Sequence, residues 1–263
     1  MKLIDLTRLL DPDDAHRIHP SVRSTRVLVP KIHYVSPTGE GVDVMCQAYN
    51  CSQHDLPNGE GWGSEDLQLA SHLGTHVDAP LHYGSMCEGK PARTITDINL
   101  SELYVDAMVL DVRDKAEPGG PITVDMLKEA LSRNGGQVTA GGALLIRTGQ
   151  ERYDLSQHEF FTYPGMTRES TLFLANLGAK VLGTDALGWD RPINMMKERF
   201  QKTRDKRDIW DGHFAGRERE IFIVQQLVNL ATLPTNGFKV AFFPLKLARC
   251  SAAPARVVAF VNQ

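Results

Sequence analysis

The chain predicts a mixed α/β fold built as one domain over residues 1–263, and three observations carry that prediction. Short runs rich in valine, isoleucine and leucine alternate along the sequence with segments of helical periodicity. Apolar residues make up 42% and charged residues 23% of the 263, the proportions of a soluble globular protein. No internal repeat, low-complexity tract or linker divides the chain, and α/β architectures of this size often keep a single core.

The first element that the residues define is the segment His72-Leu73-Gly74-Thr75-His76-Val77-Asp78-Ala79-Pro80-Leu81-His82. A helix is excluded there, because Asp78 would lie about 200° round from His76 and Pro80 would break the hydrogen-bond ladder. In an extended chain His72, His76, Asp78 and His82 share one face, while Leu73, Val77, Ala79 and Leu81 share the other. One face is chemical and the other is core. Further along, Ala107–Val112, Ala143–Arg147, Lys180–Gly183, Val240–Phe243 and Arg256–Val261 read as buried strands. Met126, Leu127, Ala130 and Leu131 recur at helical spacing within Thr123–Arg133 behind a Thr123 cap, and Thr167–Leu177 repeats the arrangement. Glu117–Pro121 marks a surface turn.

Net charge is −3, which offers no basic field for nucleic acid and no polybasic membrane patch. No apolar run approaches the roughly 18 residues of a transmembrane helix. The positive charge crowded into residues 189–207 is interleaved with acidic residues, so it reads as a solvated helix, or as a lid, rather than a nucleic-acid patch. Cys46, Cys51, Cys87 and Cys250 lack C-x-x-C spacing, and the opening Met-Lys-Leu-Ile-Asp lacks the apolar core of a secretory signal. Reduced thiols, a cytoplasmic setting and a small-molecule partner are the expectations.

Three of the nine histidines fall in the window 72–82 beside an aspartate. That density points to a metal, whose ligand atoms must converge to roughly 2 Å from one point. Four residues of straight strand would separate His72 from His76 by roughly 13 Å, so the chain must bend, and Gly74 permits it. Pro80 is expected to end strand pairing and leave His82 displaced beyond the ligands His72, His76 and Asp78, free for proton transfer. Asp185 and Asp190 follow a predicted strand, where each is either a site-orienting carboxylate or a turn residue. Trp62, Trp189, Phe160 and Phe161 are candidates for an aromatic pocket or for core. His33, His54 and His158 are isolated and read as surface or packing residues. A Gly-x-Ser-x-Gly elbow, a P-loop and a dinucleotide fingerprint are all missing.

The run from His72 to His82 resembles the H-x-G-T-H-x-D-x-P-x-H signature of the cyclase-like metal hydrolases, a family that includes kynurenine formamidases, isatin hydrolases and trans-dienelactone hydrolases. Ile4-Asp5-Leu6-Thr7, Leu144–Gly149, Leu182–Asp185 and the run from Pro244 extend the likeness over most of the chain. The resemblance implies a swivelling β/α/β fold, with a mixed sheet or barrel-like core flanked by helices. It also implies that His72, His76 and Asp78 bind a first metal and that His82 is the general acid/base. His213 falls where two-metal members place a second-site histidine, and Gln225 falls where they place a glutamate; a one-residue shift gives Gln226, also an amide. A neutral amide holds a divalent cation less tightly than a carboxylate, so one metal, manganese or zinc, is expected rather than two. His213 and Gln225 then complete the shell or bind substrate.

The activity implied is hydrolysis of an amide C–N bond, in a lactam or an aryl formamide, with a lactone ester close behind. A non-catalytic metal-dependent binding protein is the competing class, and His82 separates the two, because a binder does not need it. The resemblance further implies a homo-oligomer that exchanges N-terminal segments.

Overall fold

A computed structural model describes residues 1–20, 22 and 28–262. Among these residues, the principal strands are β1 (Lys2–Asp5), β2 (His76–Asp78), β3 (Tyr104–Asp111), β4 (Ala143–Arg147), β5 (Val181–Thr184), β6 (Phe222–Gln225), β7 (Phe238–Pro244) and β8 (Ala252–Val261). The helices that matter here are α1 (Glu40–Tyr49), α2 (Val124–Arg133), α3 (Arg168–Asn176), α4 (Ile193–Thr203) and the single turn α5 (Asp211–Phe214). β3, β4, β5 and β6 run parallel, whereas β6 with β2, β2 with β8, β8 with β7 and β7 with β3 are antiparallel.

β8 closes this sheet into a seven-stranded barrel. Its Ala252–Pro254 pair with β2, its Ala255–Val261 pair with β7, and β1 lines its far half on the edge that β2 leaves free. The mixed, barrel-like core flanked by helices is thus present.

Alternation along the parallel strands divides the core in two. Val109, Leu145, Val181 and Val224 point into the barrel with Val77, Val240, Phe242 and Val257. Leu110, Leu144, Ile146, Leu182 and Ile223 point outward, where Leu127 and Leu131 of α2 and Leu174 of α3 cover them. Both faces of these strands are buried, so they read as continuous apolar runs. Burying each such side chain fully contributes about 1.5–3 kcal/mol.

The predicted strands and helices occur within a few residues of their expected bounds, with Thr123 accepting from Met126 N and Thr167 from Ser170 N as caps. β1 and β6 lie outside the strands that the sequence predicts. The basic stretch contains α4, a solvated helix, with Arg199 paired to Asp208 at 2.6 Å and Arg207 to Asp205 at 2.6 Å. No helix of the described residues is long and apolar enough to cross a membrane. A hairpin joining Lys31–Val35 to Ser64–Gln68, with α1 in its connection, leaves Tyr34, Leu67 and Tyr49 exposed.

Candidate metal centre

β2 is only three residues long, and it carries the division of labour seen in the sequence. Val77, and Ala79 just beyond it, enter the barrel core, while His76 and Asp78 face the opposite way. The bend that returns His72 to them occurs at Gly74, whose φ is +58° and where a Cβ would meet the Leu10 side chain at 2.4 Å. Thr75 fastens the bend: its hydroxyl donates to Gln226 O at 2.7 Å and accepts from Arg8 N at 2.9 Å.

Strand pairing ends before Pro80 as expected, but Pro80 does not set His82 apart. It occupies the first position of a 3-10 turn over Pro80–His82, where its missing N–H costs nothing. The turn, closed by His82 N donating to Ala79 O at 2.9 Å, swings His82 back instead of setting it apart. The rings of His72 and His82 lie 3.9 Å apart, and one donor atom from each of His72, Asp78 and His82 lies within 4.8 Å of the others. His82 therefore borders the same cluster as the expected ligands.

Asp78 is the centre of the cluster and is fully buried. His72 Nδ1 is 2.9 Å and His76 Nε2 3.4 Å from its Oδ1, and His213 Nε2 is 3.6 Å from its Oδ2. Gln225, opposite His76 in the β6–β2 ladder, donates from Nε2 to Asp78 Oδ2 at 2.8 Å. That nitrogen also lies 3.5 Å from His76 Nε2 and 3.4 Å from His213 Nε2. Two imidazoles are oriented from behind. His76 Nδ1 donates to Gly74 O at 2.7 Å, and His213 Nδ1 meets Asp190 Oδ2 in a short contact, so each turns Nε2 inward. Among the described residues, no hydrogen bond holds either ring nitrogen of His82.

These contacts set the charges. Burial opposes ionisation of Asp78, but His76, His82, His213 and His72 together outweigh it and hold the carboxyl well below the usual range. Burial would likewise lower His213, but the carboxylates of Asp190 and Asp78 raise it to about 9. His82 goes the other way: burial, reinforced by the neighbouring imidazoles against the pull of Asp78, takes it down to about 4.

All six residues singled out in the sequence, His72, His76, Asp78, His82, His213 and Gln225, therefore meet at one place. The two flanking aspartates part company. Asp190 accepts from Gly212 N at 2.6 Å and orients His213, whereas Asp185 accepts from Thr148 N at 2.8 Å and Gly149 N at 2.8 Å and fastens the end of β4. Of the aromatic candidates, Trp189 and Phe160 are core, the second of the two alternatives, Phe161 packs beside Phe160, and Trp62 lies on the hairpin connection. The aromatic residue at the centre is Trp210, stacked on His213 at 4.3 Å and edge-on to His82 at 4.8 Å. Its φ of +52°, unusual for a bulky residue, hides it from periodicity, although its place three residues before His213 is a signal the sequence offers.

A cation fits this donor set. Asp78 Oδ1 is buried and receives no hydrogen bond, although His72 Nδ1 lies 2.9 Å from it. An ionised oxygen so placed is costly unless a positive charge completes it. Nitrogen and carboxylate donors of this kind suit zinc or manganese.

Residues 4–191 match the family model described as putative cyclase. The isatin hydrolase of Roseibium aggregatum is 27% identical over 209 residues, which cover 74% of this chain and 73% of the relative. The kynurenine formamidase of Paracidovorax citrulli is 27% identical over 195 residues, covering 73% and 77%. Among solved structures, an isatin hydrolase bound to the product analogue thioisatinate superposes with a TM-score of 0.75 at 20% identity, covering 100% of this chain and 93% of the other. Isatin hydrolase A from Ralstonia solanacearum gives 0.74 at 23%, covering 99% and 92%. With a family match over most of its length and this arrangement of histidines and aspartate, the chain belongs to the cyclase family of metal-dependent hydrolases.

Proposed function

We propose that this chain hydrolyses an amide C–N bond, in a lactam or an aryl formamide, with one divalent cation, manganese or zinc, held by His72, His76 and Asp78 and with His82 as general acid/base. The observation that carries the reading is the buried Asp78 carboxylate, one oxygen of which receives no hydrogen bond, among four imidazoles. A bound divalent cation supplies Lewis acidity, polarising an acyl oxygen and bringing the pKa of water from 15.7 towards about 7. His82 lies beside the proposed ligands and outside their set, so it is assigned to take a proton from the attacking water and return it to the leaving nitrogen. Trp210 walls the site beside it. Ring opening of a lactone would use the same residues, with the proton returned to oxygen.

One cation is favoured over two by Gln225. The amide N–H turned to Asp78 Oδ2 meets that carboxylate with a neutral donor, where a glutamate would bring a second negative charge. The exposed Tyr34, Leu67 and Tyr49 support a homo-oligomer that covers them, and the free cysteines support a cytoplasmic setting. The test is metal analysis of the purified protein together with turnover of N-formylkynurenine, isatin and a dienelactone. His82→Ala should abolish hydrolysis while metal content stays normal. Undiminished turnover in that variant would refute the assigned role, and a metal-loaded wild type inert on every substrate would favour a binding protein.

A further inference from the structure

We infer that Tyr83 is a positioning residue whose phenol hydroxyl, inserted between β6 and β2 at Asp78, sets the shape of the cation's donor set. The ladder register places Ile223 of β6 opposite Asp78 of β2. Tyr83 Oη accepts from Ile223 N at 3.1 Å and donates to Asp78 O at 3.2 Å, so a side chain bridges the two backbones at the central carboxylate. The ring is fully buried and has no room to move: a Cβ on Gly216 would lie 2.4 Å from it, and the Tyr83 carbonyl accepts from Arg217 Nε.

Three parts of the site are thereby tied to one rigid group. Tyr83 follows His82 directly, so its anchorage fixes the turn that carries His82. Its hydroxyl spaces Asp78 from the strand that carries Gln225, and its ring packs 5.8 Å from that of His213. Partners that orient metal ligands from behind are worth about 10–100-fold in affinity, and a bridge to the backbone of the central carboxylate acts in the same way.

This inference rests on the reading of the cluster as a cation site, and the experiment keeps the two apart. Wild-type protein, stripped and reloaded with cobalt(II), is compared with Tyr83→Phe by visible absorption and by competition with a chromophoric chelator. Thr171→Val, which removes the hydroxyl that accepts from Trp189 Nε1 at 3.0 Å in the outer core, controls for loss of stability alone. Tyr83→Phe should bind cobalt about tenfold or more weakly and shift the d–d bands, while Thr171→Val leaves both unchanged. Unaltered affinity and spectrum in Tyr83→Phe would overturn the inference, and so would an equal shift in Thr171→Val. Failure of the wild type to take up cobalt would instead overturn the cation reading. Should Tyr83→Phe not fold, Gly216→Ala, which drives a methyl group into the ring, must produce the same shift, and an unshifted spectrum there overturns the inference.

Discussion

Replacing Gln225 by glutamate is the most direct trial of the single-cation site. The amide nitrogen now 2.8 Å from Asp78 Oδ2 would give way to an acidic oxygen at about that distance. Two ionised carboxylates about 3 Å apart repel by roughly 5–6 kcal/mol at an effective dielectric of 20. Keeping one of them protonated at pH 7, against an ordinary glutamate pKa near 4.3, costs only about 4 kcal/mol. The smaller cost wins, so in the cation-free variant the pair shares a proton and the new O–H replaces the lost N–H.

The folded pKa of the pair is then raised above its unfolded value. The shared proton's contribution is fully present below about pH 4.3 and is lost as pH rises through the raised value. Stripped Gln225→Glu protein should therefore melt about 8–16 °C below wild type at pH 7 and close to wild type at pH 4.5, taking about 2–4 °C per kcal/mol for a chain of this size. Zinc or manganese should reverse the deficit, and the variant should carry close to two cations per chain against one in wild type. The measurements are thermal melts with and without metal and elemental analysis of the dialysed protein. An unchanged cation count, or a stripped variant that melts with wild type at pH 7, would refute the assignment of Gln225.

Asp190→Asn keeps an acceptor behind His213 but removes the charge that, with Asp78, raises that imidazole to about 9 against burial. Because the folded value is raised, its contribution of up to about 3 kcal/mol is present below pH 6.5 and lost as pH climbs through 9, so melts of stripped wild type and variant should differ most in acid and converge above pH 9. A constant offset across that range would show that His213 is not charged by Asp190. Gly74→Ala forces φ +58° on a residue with a Cβ and drives that atom against Leu10, at a cost of about 1–3 kcal/mol. Since the bend returns His72 to Asp78, cation affinity measured by chelator competition should fall in that variant, and unchanged affinity would mean that the bend is not needed for ligation.

What the sequence could show followed from local rules. Continuous apolar runs located the parallel strands β3, β4 and β5, cap residues located α2 and α3, and the clash between helix geometry and the spacing of His76, Asp78 and Pro80 required an extended, bent segment. Gly74 was readable because few other residues tolerate the conformation a bend there demands. Pro80 was not, because proline serves equally to end a strand or to open a 3-10 turn, and only the second returns His82 to Asp78. Asp185 and Asp190 look alike in sequence, and their separate roles depend on which loop each strand end meets. The bridging hydroxyl of Tyr83 and the stacking of Trp210 depend on residues more than a hundred positions away or on a left-handed backbone, and neither leaves a periodic trace.

The closure of the barrel through β8 also bears on the order in which the molecule is made. Among the described residues β2, which carries His76 and Asp78, is held in the sheet by β6 and β8 alone, and both lie well over a hundred residues further along the sequence. During synthesis the ligand segment leaves the ribosome long before either partner strand exists. Pairings across such separations form late, since the chain-closure entropy precedes any reward. The nascent protein thus carries its histidines without a cavity to gather them, and on the proposed reading cation capture would follow the pairing of β2 with β6 and β8. Metal added during refolding should stabilise the finished barrel and leave the early collapse of β3, β4 and β5 at its own pace.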